Sequence, residues 1–383
     1  MNSLTNKSDV TLLKNGKKFI ELHQELIDQA KHFILLHTYI FKDDEVTSII
    51  ISSLANAAKR GVRVFIILDS YGSQDFSLQS QNFLTKNGVE LSFFNKNFIF
   101  TSLGRRLHQK VLIIDNIKSI VGGINYAKEF NLPSQINPWL DYSCLIEGEE
   151  VHRILKKVYP LYRKAFQSKL KMITPFKDLI HYSQKSIIIK TNENNWMGYK
   201  QEIYKSYLSA IKSSKSEITI LATYFIPGKK LLKYLRQASQ RGVKVKLIFG
   251  AFSDQKIASL TSNYFYQWYL ENQIEIYEWD ESIMHGKLAL IDSRWVTVGS
   301  YNHNFLSRYG NLELNIEVIN NDFANIVQQE FEQIINNSNQ ITCSNISATV
   351  GNKFIIKMLY FTVNLITFLS LLFVYQRNET DDS

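Results

Sequence analysis

The chain has 383 residues, of which 45% are hydrophobic and 21% charged. This composition predicts a folded protein large enough for two domains and excludes a mainly disordered chain. The formal net charge of +9 favours an anionic partner such as an acidic lipid, a phosphorylated substrate or nucleic acid, although a solvated basic surface would give the same excess. Cys144 and Cys343 are far apart and lack CxxC spacing, so nothing indicates a disulfide framework or a zinc knuckle.

Short apolar segments alternate with longer amphipathic segments in both halves of the chain. In the first half, 33–40 and 62–68 predict buried strands on either side of a helix at 46–60, which ends at Gly61. This alternation predicts an α/β fold with parallel strand pairing. The same order of elements recurs in the second half, at 217–225, 229–241, Gly242 and 243–249.

A basic amphipathic stretch at 149–172 separates the two halves. We expect Pro160 to kink or end a helix within it. The stretch is interpreted as a helix that covers the domain with its apolar face, and contact with an anionic lipid surface is the alternative. The predicted organisation is a first unit at 1–173, a second unit at 174–338, a polar linker at 339–353, a transmembrane helix at 354–376 and a tail at 377–383.

The C-terminal region contains an uncharged apolar run at 358–376, close to the ~20 residues that cross a bilayer. Tyr360 and Tyr375 stand near its ends, as interfacial aromatic residues do. Lys353 and Lys357 precede it, and the positive-inside rule then predicts that both units lie on the cytoplasmic side of a membrane, anchored by a single C-terminal span. A buried C-terminal helix is the alternative. The polar N-terminus lacks the apolar core of a secretory signal.

Two blocks of sequence carry the same polar residues at the same spacing, and the second begins 177 residues after the first (285 − 108 = 177). Glycine precedes the asparagine in both blocks. A single His-x-Lys pair would carry little information, but two copies with matching positions predict a duplicated functional unit. The matching residues are His108, Lys110, Asp115 and Asn125 in the first block and His285, Lys287, Asp292 and Asn302 in the second.

This spacing has a chemical meaning. Residues two apart on a strand project from the same face, so each histidine and its lysine point into one pocket. If the two units pack about a pseudo-twofold axis, two imidazoles and two ammonium groups share one cleft that suits a phosphate. One imidazole can attack phosphorus while the other protonates the departing alkoxide, and the lysines and asparagines hold the non-bridging oxygens. We therefore predict neither a metal nor a cofactor.

These blocks resemble the HxKxxxxD motifs of the phospholipase D superfamily. Over nearly the whole chain before the C-terminal apolar run, the sequence is most similar to bacterial cardiolipin synthases, notably at 13–19, 60–73, 104–125 and 223–248. The resemblance implies an α/β fold of two pseudo-symmetric phospholipase D-like units, each a mixed sheet flanked by helices, here followed by one transmembrane helix. It also implies a covalent phosphohistidine, with His108 assigned as nucleophile and His285 as acid and base, although the two halves are near-equivalent in sequence.

The resemblance further implies a carboxylate that orients each histidine. Asp141 fits this place in the first half and Glu313 in the second, with Glu317 as a nearby alternative. Asp115 and Asp292 belong to the catalytic motifs, although in the superfamily they are usually interpreted as structural.

Arg105 and Arg106 precede the first motif and are candidate ligands of a lipid phosphate, with solvated loop charges as the alternative. The chain departs from many relatives at Asn304, where they carry aspartate. We also expect it to lack the paired N-terminal membrane helices of some cardiolipin synthases. These differences leave the motifs intact but put the substrate in doubt.

The sequence thus predicts a phosphatidyltransferase that joins two phosphatidylglycerol molecules and releases glycerol. The expected partners are phospholipids and a membrane, without nucleic acid, and the oligomeric state is left open. A phospholipase D that releases phosphatidic acid is the first alternative. A nuclease, which the net charge of +9 favours, is the second; the predicted membrane helix and the cardiolipin synthase-like segments disfavour it. A degenerate scaffold is the third, disfavoured by two intact motifs.

Overall fold

The computed structural model describes residues 7–95, 105–131, 137–172, 187–253 and 261–344, together with Met358 and Thr362. The first unit contains strands β1 (Ser8–Lys14), β2 (Phe33–Thr38), β3 (Arg63–Asp69), β4 (Glu90–Phe94), β5 (Lys110–Ile114), β6 (Lys118–Gly122) and β7 (Tyr142–Gly148). Its helices are α1 (Lys17–Gln29), α2 (Glu45–Lys59), α3 (Leu78–Lys86), α4 (Lys128–Asn131) and α5 (Glu149–Phe166), followed by a 3₁₀ helix at Gln167–Met172.

The second unit repeats this plan. Its strands are β8 (Ile188–Asn195), β9 (Lys200–Gln201), β10 (Glu217–Ala222), β11 (Lys244–Gly250), β12 (Glu275–Trp279), β13 (Lys287–Ile291), β14 (Trp295–Gly299), β15 (Leu312–Ile319) and β16 (Ser338–Ile341). Its helices are α6 (Glu202–Ser213), α7 (Lys229–Gln240), α8 (Tyr266–Glu271), α9 (Phe305–Tyr309) and α10 (Asn321–Asn336), with a 3₁₀ turn at Trp196–Gly198.

Both sheets are mixed, as the resemblance implied. The first has the strand order β1-β7-β6-β5-β2-β3-β4 and the second the order β16-β12-β11-β10-β13-β14-β15-β8-β9. Strands β2, β3 and β4 pair in parallel, as do β10, β11 and β12, and the remaining pairs are antiparallel. Seven consecutive strands of each sheet correspond, β1 to β7 with β8 and β10 to β15, so the duplication inferred from the motifs extends to the whole topology.

The apolar strands run between two hydrophobic cores. On β2, Phe33 and Leu35 face a central core that contains residues of both units, whereas Ile34 and Leu36 face a core confined to the first unit. A third core belongs to the second unit. Burial on both faces explains why these strands are continuously apolar rather than alternating.

Helix α5 covers the central core. Ile154, Leu155 and Tyr162 are buried in that core, so the interpretation of 149–172 as a helix with an apolar face toward the domain is confirmed. The helix continues through Pro160 to Phe166, so the proline does not end it.

The predicted transmembrane helix is not supported. Within the described ranges, no helix combines the length and the apolar character needed to cross a bilayer. The fold is therefore corrected to two α/β units without the C-terminal span, and the predicted location on a single membrane anchor is withdrawn with it. Apart from Met358 and Thr362, the segment 354–376 lies outside the described residues.

The aspartates of the two motifs hold the β-hairpins in place. Asp115 and Asn116 both have positive φ angles, 52° and 59°, as a tight turn between β5 and β6 requires. The Asp115 carboxylate accepts the backbone N–H groups of Lys31, His32 and Phe33 at 2.7 to 2.8 Å and thereby fixes the start of β2. Asp292, with φ 54°, binds the start of β10 in the same way.

We expect Asp115→Ala to lower the free energy of unfolding by ~2–3 kcal/mol, because three N–H groups, of which that of Phe33 is buried, lose a charged acceptor. Asp292→Ala should cost less, ~1–2 kcal/mol, since Asp292 is only half-buried. Urea titrations followed by circular dichroism measure both changes. Asp75→Ala, at an exposed position, is the matched control and should leave the midpoint unchanged. Unfolding midpoints equal to the control in both variants would contradict a structural role.

Candidate active site

The backbone N–H of each histidine is hydrogen-bonded to the other unit. The N–H of His108 donates to the carbonyl of Leu312 at 3.0 Å, and the N–H of His285 donates to the carbonyl of Leu140 at 2.8 Å. Leu312 opens β15 and Leu140 lies two residues before β7, so these two links occupy equivalent places. The histidines are thus positioned by a backbone exchange between the units.

The carboxylate that contacts each histidine also comes from the opposite unit. Nδ1 of His108 lies 2.9 Å from Oε2 of Glu313, and Nδ1 of His285 lies 2.6 Å from Oδ2 of Asp141. The histidines are 8% and 7% exposed and the carboxylates 0%. The prediction that each carboxylate orients the histidine of its own half is therefore wrong: each belongs to the opposite unit, because it directly follows the backbone segment that crosses over.

The lysines join the two motifs electrostatically. Nζ of Lys110 donates to the carbonyl of His108 at 2.7 Å, and Nζ of Lys287 donates to the carbonyl of His285. Burial, and then the charge of Lys287, lowers the pKa of Lys110 to about 7. Burial also lowers the pKa of His108, and the charge of Lys287 contributes to this decrease. The two motifs therefore share one cleft, as the doubled pattern predicted.

Glu313 lies among hydrogen-bond donors. Its carboxylate accepts from the hydroxyl of Ser300, from the hydroxyl of Ser307 at 2.7 Å and from the amide of Asn311 at 3.1 Å, in addition to His108. Burial would raise the pKa of Glu313, but the neighbouring cationic groups and these hydrogen bonds outweigh it and hold the pKa below its usual value. This carboxylate stays ionised.

Asp141 lacks the side-chain donors that surround Glu313. The positions equivalent to the three donors hold Gly123, Phe130 and Trp139, and the rings of Phe130 and Trp139 lie 5.1 and 6.1 Å from the His285 ring. The backbone N–H of Tyr142 donates to Oδ1 at 2.7 Å. Burial dominates and raises the pKa of Asp141 to about 7.

Comparison with known proteins decides the family. A family model described as "Cardiolipin synthase, PLD-like domain" matches residues 24–138 and 207–335. "Cardiolipin synthase B" of Salmonella typhi is 32% identical over 338 residues, which cover 86% of this chain and 81% of the relative. The protein of the same description from Escherichia coli K12 is 29% identical over 85% of this chain and 80% of its own.

The chain belongs to this family. It is an enzyme of the phosphatidyltransferase and phosphodiesterase class, as the resemblance implied. Among solved structures, a phosphatidylserine synthase of Haemophilus influenzae superposes with a TM-score of 0.69 at 14% identity, covering 87% of each chain. At that identity, the similarity shows the fold alone.

The asparagines of the two motifs are buried in this phospholipase D-like fold. Oδ1 of Asn125 accepts the backbone N–H of Ile40 at 3.1 Å, which leaves its buried Nδ2 without a partner among the described residues. The buried Oδ1 of Asn302 also lacks one within the described part of the chain. The arrangement suits Asn125 as a neutral donor, which is the role predicted for both.

Other predicted residues are placed elsewhere. Asp115 and Asp292 follow the ends of β5 and β13, where Asp115 accepts from backbone N–H groups and Asp292 from backbone N–H groups and the Ser216 hydroxyl. Glu317 accepts from Asn192 at 2.8 Å, so Glu313 and not Glu317 is the partner of a histidine. The guanidinium of Arg105 lies 3.8 Å from the Trp196 ring and that of Arg106 lies 4.4 Å from the Tyr71 ring.

Sequence reasoning missed the residues that distinguish the two histidines. One difference was visible, because the otherwise matching blocks read Gly123 in the first and Ser300 in the second. The others required the fold, since Asn311 and Trp139 become equivalent only through the strand register. Tyr39, whose ring lies 5.1 Å from that of His108, also had no signal of its own.

Gly123 leaves the space that the Asp141 carboxylate occupies, because a Cβ at this position would overlap Oδ1. We expect Gly123→Ala to displace Asp141 from His285 and to lower turnover of a chromogenic phosphodiester by about 100-fold, as small misplacements in active sites do. Gly198→Ala, where a Cβ would meet no atom closer than 3.7 Å, is the control and should keep wild-type turnover. Wild-type turnover in Gly123→Ala would show that the Asp141–His285 contact is dispensable.

Proposed function

We propose that this enzyme is a phosphatidyltransferase of cardiolipin synthase type, which joins two phosphatidylglycerol molecules through a phosphohistidine and releases glycerol. The observation that carries this proposal is the presence, in one buried cleft, of two histidines that each contact a carboxylate through Nδ1. This contact directs the Nε2 atom of each ring toward the substrate. The names of its relatives, cardiolipin synthase B, support cardiolipin as the product.

We assign His108 as the nucleophile. The ionised Glu313 accepts its Nδ1–H and fixes the tautomer in which Nε2 carries a lone pair. The lowered pKa of His108 keeps the ring neutral at physiological pH. Nε2 attacks the phosphorus of the first phosphatidylglycerol, and the bond from phosphorus to the glycerol oxygen breaks.

His285 suits the complementary role. Because the pKa of Asp141 is raised to about 7, the Asp141–His285 pair can hold an additional proton near neutral pH. In the first step His285 gives its Nε2 proton to the departing glycerol alkoxide. In the second step it takes the proton of a hydroxyl on the second phosphatidylglycerol, whose oxygen attacks phosphorus and displaces His108.

Cationic groups and a neutral donor hold the transferred phosphate. Lys110 and Lys287 provide the charge, and Nδ2 of Asn125 provides a donor. Arg106 forms a cation–π contact with Tyr71 on the approach to the first motif, where it suits the headgroup phosphate.

The test is incubation of the full chain, purified in detergent, with phosphatidylglycerol micelles, followed by mass spectrometry of the lipids and an assay of free glycerol. We expect cardiolipin and glycerol in equal amounts, and a loss of about 10³-fold or more in His108→Ala and His285→Ala. Arg294→Ala, at an exposed turn, is the control. Phosphatidic acid as sole product would replace the proposal by a hydrolase, and activity on DNA but not on lipid would replace it by a nuclease.

The assignment of the two histidines has its own test, with a phosphatidyl ester of p-nitrophenol as donor. This leaving group needs no proton, so His285→Ala should release one burst of about one p-nitrophenol per enzyme and retain the phosphatidyl group on His108, because no base activates the acceptor. Peptide mass spectrometry locates the group. His108→Ala should give no burst. A burst in His108→Ala, with the group on His285, would reverse the assignment.

A further inference from the structure

A carboxylate joins two segments at the start of α2 in the first unit. Oδ1 of Asp44 accepts the backbone N–H groups of Val46 and Thr47 at 2.9 and 3.0 Å, and Oδ2 accepts the N–H of Lys128 at 2.8 Å. Asp44 thus caps the helix and ties it to the segment that follows Asn125. An anion is part of the structure here.

The second unit lacks this anion. Helix α7 corresponds to α2, and Gly228 stands at its N-cap without a side chain to accept a hydrogen bond. The backbone positions that correspond to the three donors are Lys230, Leu231 and Phe305, although the N–H of Leu231 also donates to the carbonyl of Gly228 at 3.0 Å. A 12-residue helix therefore begins with N–H groups and a positive dipole end that face no carboxylate of its own cap.

A cavity lies at this place. It has a volume of about 60 Å³, and Gly228, Leu231, His303, Phe305 and Arg308 are among its lining residues. Since a water needs roughly 10–15 Å³ on this measure, the cavity has room for roughly four oxygen-sized groups. That is the size of one tetrahedral oxyanion.

Arg308 supplies a cation that the first unit does not have at the equivalent Asn131. Its guanidinium carbon lies 3.6 Å from the Tyr204 ring centroid, and its Nε donates to Gln201 at 3.0 Å. Nη1 would lie 3.7 Å from a Cβ placed on Gly228. The guanidinium is therefore held beside the position that the Asp44 side chain fills in the first unit.

His303 is a second, independent sign of a ligand. It is 4% exposed, lines the cavity, and both of its ring nitrogens lack a hydrogen-bond partner among the described residues. Its equivalent in the first unit is Tyr126. A buried imidazole that donates to nothing is costly unless a bound group accepts its N–H.

We infer that the cavity at the start of α7 binds a phosphate group, a site separate from the phosphate position between the two histidines. Arg308 and the first N–H groups of α7 neutralise the charge, and His303 donates one hydrogen bond. The phosphate of a phospholipid headgroup and free phosphate share this chemistry. The site does not depend on the proposed reaction.

The first unit suggests the test. Gly228 has φ −71° and ψ 159°, so aspartate fits its backbone, and Gly228→Asp should place a carboxylate in the cavity as Asp44 does. Gly228→Ala adds the Cβ without the charge and is the matched control. All variants are made in a His108→Ala background, which does not turn over lipid, and inorganic phosphate is titrated at constant ionic strength by calorimetry.

We expect the Gly228→Ala protein to bind one more phosphate per chain than the Gly228→Asp protein. Arg308→Gln should also lose this phosphate. Without phosphate, Gly228→Asp should melt about 2 °C above Gly228→Ala, because the helix gains a cap. This melting difference also shows that the aspartate variant has folded with its side chain in the cavity.

A second titration, with dihexanoyl phosphatidylglycerol, distinguishes the two sources. If inorganic phosphate binds all variants equally but Gly228→Asp and Arg308→Gln bind the short-chain lipid at least fivefold more weakly than Gly228→Ala, the site takes a lipid headgroup. Equal binding of both ligands by all three variants overturns the proposal.

Discussion

Each histidine of this enzyme depends on a carboxylate that the other unit supplies. Glu313 contacts His108 and Asp141 contacts His285. The backbone N–H of each histidine donates to the carbonyl of the residue directly before that carboxylate, Leu312 or Leu140, in the opposite unit. Neither unit alone contains a complete histidine–carboxylate pair. The central core, which mixes residues of both units, is therefore required for chemistry as well as for stability.

The contacts between the two units also stabilise several ionisable groups that are buried in one site. An isolated charge taken out of water costs several kcal/mol, and removing one member of a buried pair is more damaging than removing both. Here two lysines, two histidines and two carboxylates lie within one cleft, so positive and negative groups compensate one another. The compensation is unequal: Glu313 has three side-chain donors besides its histidine, whereas the pair formed by Asp141 lies against two aromatic rings.

The sequence predicted the repeated elements well, because each is determined locally. The strand at 33–40, the helix at 46–60 and its stop at Gly61 follow from apolar periodicity and glycine geometry, and the structure places them within two residues. The spacing of two histidines and lysines also predicted the shared cleft. Spacing along one chain carries no information on which carboxylate crosses to which histidine, and the within-half pairing was wrong for that reason. The C-terminal apolar run predicted a membrane helix, which the described residues do not support.

The two units serve as each other's reference. The motif aspartates hold equivalent hairpins, because folding demands the same turn in both copies. The copies differ beside the carboxylates, where the first unit has Gly123 and the second has Ser300. They also differ at the N-cap of the helix that follows the first strand of each parallel set, where the first unit has Asp44 and the second has Gly228. The proposed two-step transfer assigns different roles to the two histidines. Because Glu313 lies among side-chain donors that Asp141 lacks, the duplicated scaffold holds the pKa of Glu313 below its usual value while burial raises that of Asp141 to about 7. The two histidines therefore have carboxylate partners of different proton affinity, the kind of difference that separates acid from base roles in paired active-site groups.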